Sequence, residues 1–162
     1  MELTVTRLDP PDVPVCAEII RRSFATVAEE FGLTRENAAT NGAFLDDARV
    51  REEYERGFVM FGLLNEGTQI GFTELEPNDG VTYYLEKLAV LPEHRHRGGG
   101  KLLMDHAVAF VRASGGKAIS IGIIHENTRL VHWYEAYGFV ATGTKAFPHL
   151  PFTVGFMRLG LS

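Results

Sequence analysis

One cysteine, Cys16, stands in 162 residues, so no internal disulfide can form and the core alone must hold the chain folded. No uninterrupted apolar run reaches the roughly 18 residues needed to span a bilayer. The start, Met1-Glu2-Leu3-Thr4, lacks the basic and apolar regions of a secretory signal. Positive charge is scarce as well: 16 Lys and Arg face 21 Asp and Glu, a formal net charge of −5 with no long basic block. Such a field repels phosphate backbones. The expectation is a cytoplasmic protein without nucleic-acid or membrane partners. What the chain does have is apolar mass, 45% hydrophobic residues with 11 Phe and 5 Tyr against 23% charged. That balance excludes disorder and low-complexity chains, and the length predicts one domain, residues 1–162.

Period and punctuation divide the chain. Residues 2–8 alternate as a strand with one buried face, stopped by Asp9-Pro10-Pro11. Asp12 then caps a helix over 12–31, whose stripe Cys16, Ile19, Ile20, Phe24, Val27 and Phe31 ends at Gly32. Asn41 is expected to cap a second helix running to Gly57 with Phe44, Leu45, Ala48 and Tyr54 as its apolar positions. Strands follow at 58–65, 69–75 and 81–91, a helix at 98–114, a strand at 117–124, a helix at 128–137, and closing strands near 139–147 and 152–159. This order predicts a mixed, mostly antiparallel sheet of about seven strands with about four helices. One strand–helix–strand unit sets strands 81–91 and 117–124 in parallel, and the crevice lies where the order changes, at residues 88–101.

That segment carries three successive glycines, Gly98-Gly99-Gly100, directly before an apolar helix. Glycines there cost about 1 kcal/mol each relative to alanine, so their presence asks for a reason. Without Cβ atoms a bulky anion can approach the main chain, and the free N–H groups of the helix start point at it. A P-loop is excluded because Leu102 follows Lys101 and Arg95 stands where the first glycine belongs. A dinucleotide fingerprint fails at Leu103.

The spacing Arg95-x-x-Gly98-x-Gly100, entered from Leu88-Ala89-Val90, resembles the acetyl-CoA signature of the GNAT superfamily of N-acetyltransferases. Asn127, then Tyr134-Glu135-Ala136-Tyr137-Gly138-Phe139, resembles that family's second motif, N-x-x-x-x-x-x-Y-E-x-x-G-F. The resemblance covers roughly residues 57–140. Gly99 departs from it, since the family often has a larger residue there.

The resemblance implies attack of a neutral amine on the acetyl thioester in a ternary complex. Main-chain N–H groups of Arg97, Gly98, Gly99, Gly100 and Lys101 would hold the CoA diphosphate, with Arg95 and Arg97 as side-chain partners. Leu88, Ala89 and Val90 would offer main-chain groups to the pantetheine and the carbonyl oxygen, and Asn127 would bond the pantetheine arm. A thiol has a pKa near 8.5 and a phenol near 10, so Tyr134 can protonate the departing sulfur; the competing reading is an ordinary core aromatic. An amine is protonated at neutral pH and needs a base. Glu86 is the first candidate, read as sharing a face with Tyr84 and Leu88; the competing readings are that it merely pairs across strands or with the neighbours of Lys87, or that water takes the proton, and His125 and His149 follow as candidates. Tyr84, His125 and His149 are assigned to the acceptor side, with the turn Phe147–Phe152 as an apolar wall.

No metal is expected: His94-x-His96 lacks further ligands at recognisable spacing, and position 129, where His125-Glu126 would need a histidine, is arginine. Asp46-Asp47 and Glu52-Glu53 read as a solvated helix face. The expected partner is a small amine or a peptide, with a homodimer left open. A CoA-binding domain without turnover is the alternative.

Overall fold

In the computed structural model, which describes residues 2–162, the alternating N-terminal segment becomes β1 (Leu3–Leu8) on the edge of a seven-stranded sheet. The Asp12 side chain accepts the Val15 N–H at 3.2 Å and starts α1 (Val13–Phe31), which Gly32 ends in the left-handed conformation. Asn41 does not open a long helix. Its side chain accepts the Ala43 N–H at 2.9 Å and caps a single 3-10 turn, Gly42–Phe44; Leu45 is then extended, and Asp46 caps α2 (Asp47–Glu55). Two competing caps five residues apart divide the expected helix. Gly42 marks the break, because a Cβ there would lie 2.8 Å from the Phe24 ring.

Next come β2 (Val59–Asn65), β3 (Thr68–Pro77) and β4 (Thr82–Val90), then α3 (Gly99–Ala113), β5 (Ala118–Ile124), α4 (Thr128–Tyr137), β6 (Val140–Ala146) and β7 (Thr153–Gly160). The sheet order is β1-β2-β3-β4-β5-β7-β6, with every neighbour antiparallel except β4 and β5. It is the expected mixed, mostly antiparallel sheet with four α-helices.

Two layers of helix cover it. α1 and α2 lie on the face carrying Gln69 and Glu74, which they touch through Cys16 and, by way of Lys87, Glu53. α3 packs on the other face, where Phe110 meets Phe61 and Tyr83 edge-on, and α4 joins it through the Tyr137 hydroxyl, which donates to Asp105.

Two departures from a regular sheet shape the site. Glu86 pairs with Glu74 and Ala89 with Phe72, so two residues of β4, Lys87 and Leu88, oppose Thr73 alone. This is a β-bulge, with Lys87 at φ 55 in the left-handed region. Partners across a pair share a face, and so do residues two apart on one strand. Ala89, rather than the expected Leu88, therefore lies on the face of Glu86. The second departure is that β4 and β5 pair only at Thr82–Ala118, Tyr83–Ile119 and Tyr84–Ser120, then part.

Candidate active site

A cleft of about 1420 Å³ opens where β4 and β5 separate. β4 from Tyr84 to Leu88, and Val90, forms one side; Ser120–Ile124, Asn127, Leu130, Trp133 and Tyr134 form the other; α1 and the Ala38–Gly42 segment close it above. Gly98, Gly99, Gly100 and Lys101 line its far end. The cleft thus gathers Tyr84, Glu86, Leu88, Val90, Arg95, Gly98, Gly99, Gly100, Lys101, Asn127 and Tyr134 from the residues singled out in the sequence. Ala89 is buried, and neither it nor Arg97, His125 or His149 belongs to the lining.

The three glycines differ in what they do. Gly98 precedes α3 at φ 81, a conformation that favours glycine. Gly99 is buried, and a Cβ there would sit 2.5 Å from Leu63 Cδ2, so its role is close packing of α3 on β2. Gly100 matches the reading of an open approach, since a Cβ there meets Trp133 at an ordinary 3.5 Å, and the space beside Gly98 is open as well. The first helical bond runs from Leu102 N–H to Gly98 O at 3.1 Å, which leaves the N–H groups ahead of it without an intrahelical acceptor.

Arg95 has partners within the protein. Its guanidinium donates to Val90 O at 3.3 Å, Ser23 O at 2.8 Å and Thr26 Oγ1 at 3.1 Å. It binds the loop after β4 to α1 with three of its five N–H donors, and it lines the cleft as well. Asn127 caps α4, its Oδ1 accepting the Leu130 N–H at 3.4 Å, which keeps the amide NH2 for the cleft. Tyr134 is buried between the rings of Trp133 and Phe139, and its hydroxyl makes no hydrogen bond to another described residue. Burial pushes the phenol above its usual range, so it stays protonated.

At the other end, Glu86 is about one-third exposed to the cleft, at 37%. Burial raises its pKa, with Glu76 and Glu53 acting in the same direction and Lys87 and Arg49 against. Tyr84 stands beside it, its hydroxyl accepting from Asn78 at 3.4 Å. His125 and His149 are exposed; the His125 N–H donates to Thr153 O, and His149 meets the edge of Phe147. From the turn that precedes β7, Leu150 and Phe152 reach the cleft while His149 does not.

The helix read as a solvated face hides a network. Asp46, Glu52 and half of Asp47 are solvated, but Glu53 is 5% exposed, and Lys87 Nζ donates to its two oxygens at 2.7 and 3.0 Å. Lys87 also donates to Glu74, which is fully buried. Burial drives the Glu74 pKa up against the pull of Lys87. Oxygens of Glu53, Glu74 and Glu86 lie within 4.8 Å of one another, and the cation among them is the chain's own lysine. One signal in the sequence marks Glu53: it stands three residues after buried Val50, on the helix's inner face.

Comparison with known proteins now bears on this geometry. Residues 19–139 match the model of the "Acetyltransferase (GNAT) family". The chain is 33% identical over 102 residues to an amino-acid acetyltransferase of Azotobacter vinelandii, covering 62% of this chain and 23% of that protein, so it spans about a quarter of that relative. In fold it is similar to the ribosomal-protein-S18-alanine N-acetyltransferase of Escherichia coli, with TM-score 0.78 and 17% identity over 99% of this chain and 95% of that one. It is likewise similar to a Thermoplasma acidophilum N-acetyltransferase solved with coenzyme A, with TM-score 0.73 and 20% identity over 99% of this chain and all of the other. No helix among the described residues is long and apolar enough to cross a membrane. With its seven-stranded sheet parted at β4 and β5, and a family match over residues 19–139, the chain belongs to the GNAT family of acetyltransferases.

Proposed function

We propose that this chain moves an acetyl group from acetyl-CoA to a primary amine of a small molecule or peptide, by direct attack in a ternary complex. One observation carries the reading: the parting of β4 from β5 exposes, in one cleft, the bulged main chain of β4, the start of α3, the Asn127 amide, the Tyr134 phenol and the Glu86 carboxylate. A relative named an amino-acid acetyltransferase, a structural neighbour named a ribosomal-protein-S18-alanine N-acetyltransferase, and another bound to coenzyme A support the class of reaction without choosing an acceptor.

The residues fit acetyl-CoA. The N–H groups at the start of α3 receive the diphosphate beside Gly98 and Gly100, with the helix dipole behind them and Lys101 nearby. The Asn127 NH2 donates to the pantetheine arm. Main-chain groups at the β4 bulge receive the acetyl carbonyl, whose oxygen gains charge as the amine adds. The ammonium of the acceptor gives one proton to Glu86, the neutral nitrogen bonds to the carbonyl carbon, the carbon–sulfur bond breaks, and the second proton that the nitrogen sheds as the amide forms reaches the departing thiolate by way of Tyr134 or solvent. Tyr134, held protonated by burial, gives a proton or a hydrogen bond to the leaving sulfur. A domain that only bound CoA would need neither the acid nor the base at the thioester end.

A ligand that binds only the native state raises its melting temperature by mass action. Millimolar acetyl-CoA should therefore stabilise the protein, and a panel of polyamines, amino acids, peptides and aminoglycosides, read by release of the CoA thiol, should identify the acceptor. No thermal shift together with no thiol release removes this function. Tyr134→Phe deletes one oxygen from a site packed by Trp133 and Phe139, so acetyl-CoA affinity stays within about twofold while turnover falls about tenfold. Unchanged turnover would return Tyr134 to a packing role.

A further inference from the structure

A lysine at φ 55 is an outlier that glycine or asparagine would occupy with less strain, and such outliers persist only where their surroundings hold them. Lys87 occupies that conformation at the bulge of β4, one residue from Leu88, where the main chain turns into the cleft. Three elements hold it. From α2, Glu53 accepts two bonds from Nζ; from β3, Glu74 accepts a third; and the neighbouring Glu86 carboxylate stands 3.7 Å away. Arg49, one helical turn before Glu53, approaches the same carboxylate at 3.7 Å and donates to Thr40 O in the segment that closes the cleft. Thr73, opposite the bulge, donates from Oγ1 to Glu86 O at 3.1 Å and fixes the residue before it.

We propose that Lys87 is a positioning residue for acetyl transfer: through Glu53 and Glu74 it fixes the β4 bulge, so that the main chain at Leu88 meets the thioester carbonyl in the geometry its developing charge requires. The inference rests on the acetyl-transfer reading above. The physical reason for a charged clamp is rigidity. A buried cation bonded to two carboxylates from different elements cannot shift without leaving a charge unpaired, so the bulge is pinned to β3 and α2 together. A transition-state interaction displaced by an ångström loses much of its effect, whereas the diphosphate contacts at the start of α3 and the Asn127 contact to the pantetheine come from elements that the clamp does not join. Loss of the clamp is therefore read in turnover and spares cosubstrate binding.

The test is steady-state kinetics of Lys87→Met, with acetyl-CoA and whichever amine gives the fastest thiol release from the wild type. The expected result is a turnover at least tenfold lower, with the KM for acetyl-CoA within about twofold of wild type. Lys87→Met leaves two buried carboxylates unpaired. Should that variant not fold, Lys87→Met combined with Glu53→Gln and Glu74→Gln removes the stranded charges and carries the same expectation. A folded variant whose turnover stays within twofold, at any melting temperature, reduces Lys87 to a stability element and overturns the proposal. A rise in KM that accounts for the whole loss does the same. A wild-type protein silent with every amine overturns the acetyl-transfer reading instead.

Discussion

Gly100→Asp should weaken acetyl-CoA binding at least hundredfold, about 2.7 kcal/mol, while the melting temperature of the free protein changes by no more than about 2 °C. The two halves of this expectation come from different physics. For the fold, position 100 accepts a side chain: a Cβ there lies 3.5 Å from the Trp133 ring, an ordinary contact. An aspartate in the first turn of α3 also faces the positive end of the helix dipole, which is mildly stabilising. For the ligand, the same carboxylate stands among the N–H groups assigned to the diphosphate. There it meets like charge at short range and competes for the same donors. Neighbouring Gly99 cannot serve for this test, since a Cβ 2.5 Å from Leu63 would disturb packing and binding together. Titration of the variant by calorimetry beside its thermal melt checks both halves. Binding weakened less than tenfold would move the diphosphate away from this helix start.

These glycines also show how far the sequence could be read. Three in a row before an apolar helix announce an unusual helix start, and that start does line the cleft. They do not announce that one serves backbone conformation, one a close contact with β2 and one an open approach. That division depends on Leu63 and Trp133, brought there by strands and helices distant in the chain. The strand period located β4 to within a residue at each end, yet the bulge at Lys87 was illegible, because an extra residue is defined only against its partner strand. Its consequence reached the site: the alternation assigned to Glu86 and Leu88 passes to Glu86 and Ala89. The internal partners of Arg95 were illegible for a similar reason. An arginine beside a glycine-rich turn suits an anion, but the carbonyls of Ser23 and Val90 each take one of its donors, and Ser23 lies 72 residues earlier on α1. Local patterns of capping and period were legible; pairings between a side chain and a remote element were not. Glu53 and His149 both fall on the illegible side of that line. The first is an acid in a polar run that turns inward to Lys87. The second is a histidine in an apolar turn that faces solvent, while Leu150 and Phe152 turn to the cleft.

Glu86→Gln should lower turnover at neutral pH about a hundredfold and remove the acid limb of its pH dependence, the range expected for losing a positioned general base. A base works only when deprotonated, so activity is present above its pKa and is lost as pH falls through it. Burial, aided by the nearby charges of Glu76 and Glu53, raises the Glu86 pKa, while Lys87 and Arg49 pull it down. The wild-type limb therefore lies above the ordinary glutamate value of about 4.3. Glutamine preserves the shape of the side chain at the cleft and the backbone pairing with Glu74, and it cannot accept the proton. Removing a negative charge next to Lys87 also leaves that lysine its two stronger partners, Glu53 and Glu74, so the fold survives the change. A limb set by ionisation of the acceptor amine itself would move with the pKa of the amine and persist in Glu86→Gln. Comparing two acceptors of different basicity in both proteins separates the cases. If the variant retains the wild-type profile with each amine, solvent or another group removes the proton, and Glu86 becomes a charge that draws the ammonium into the cleft.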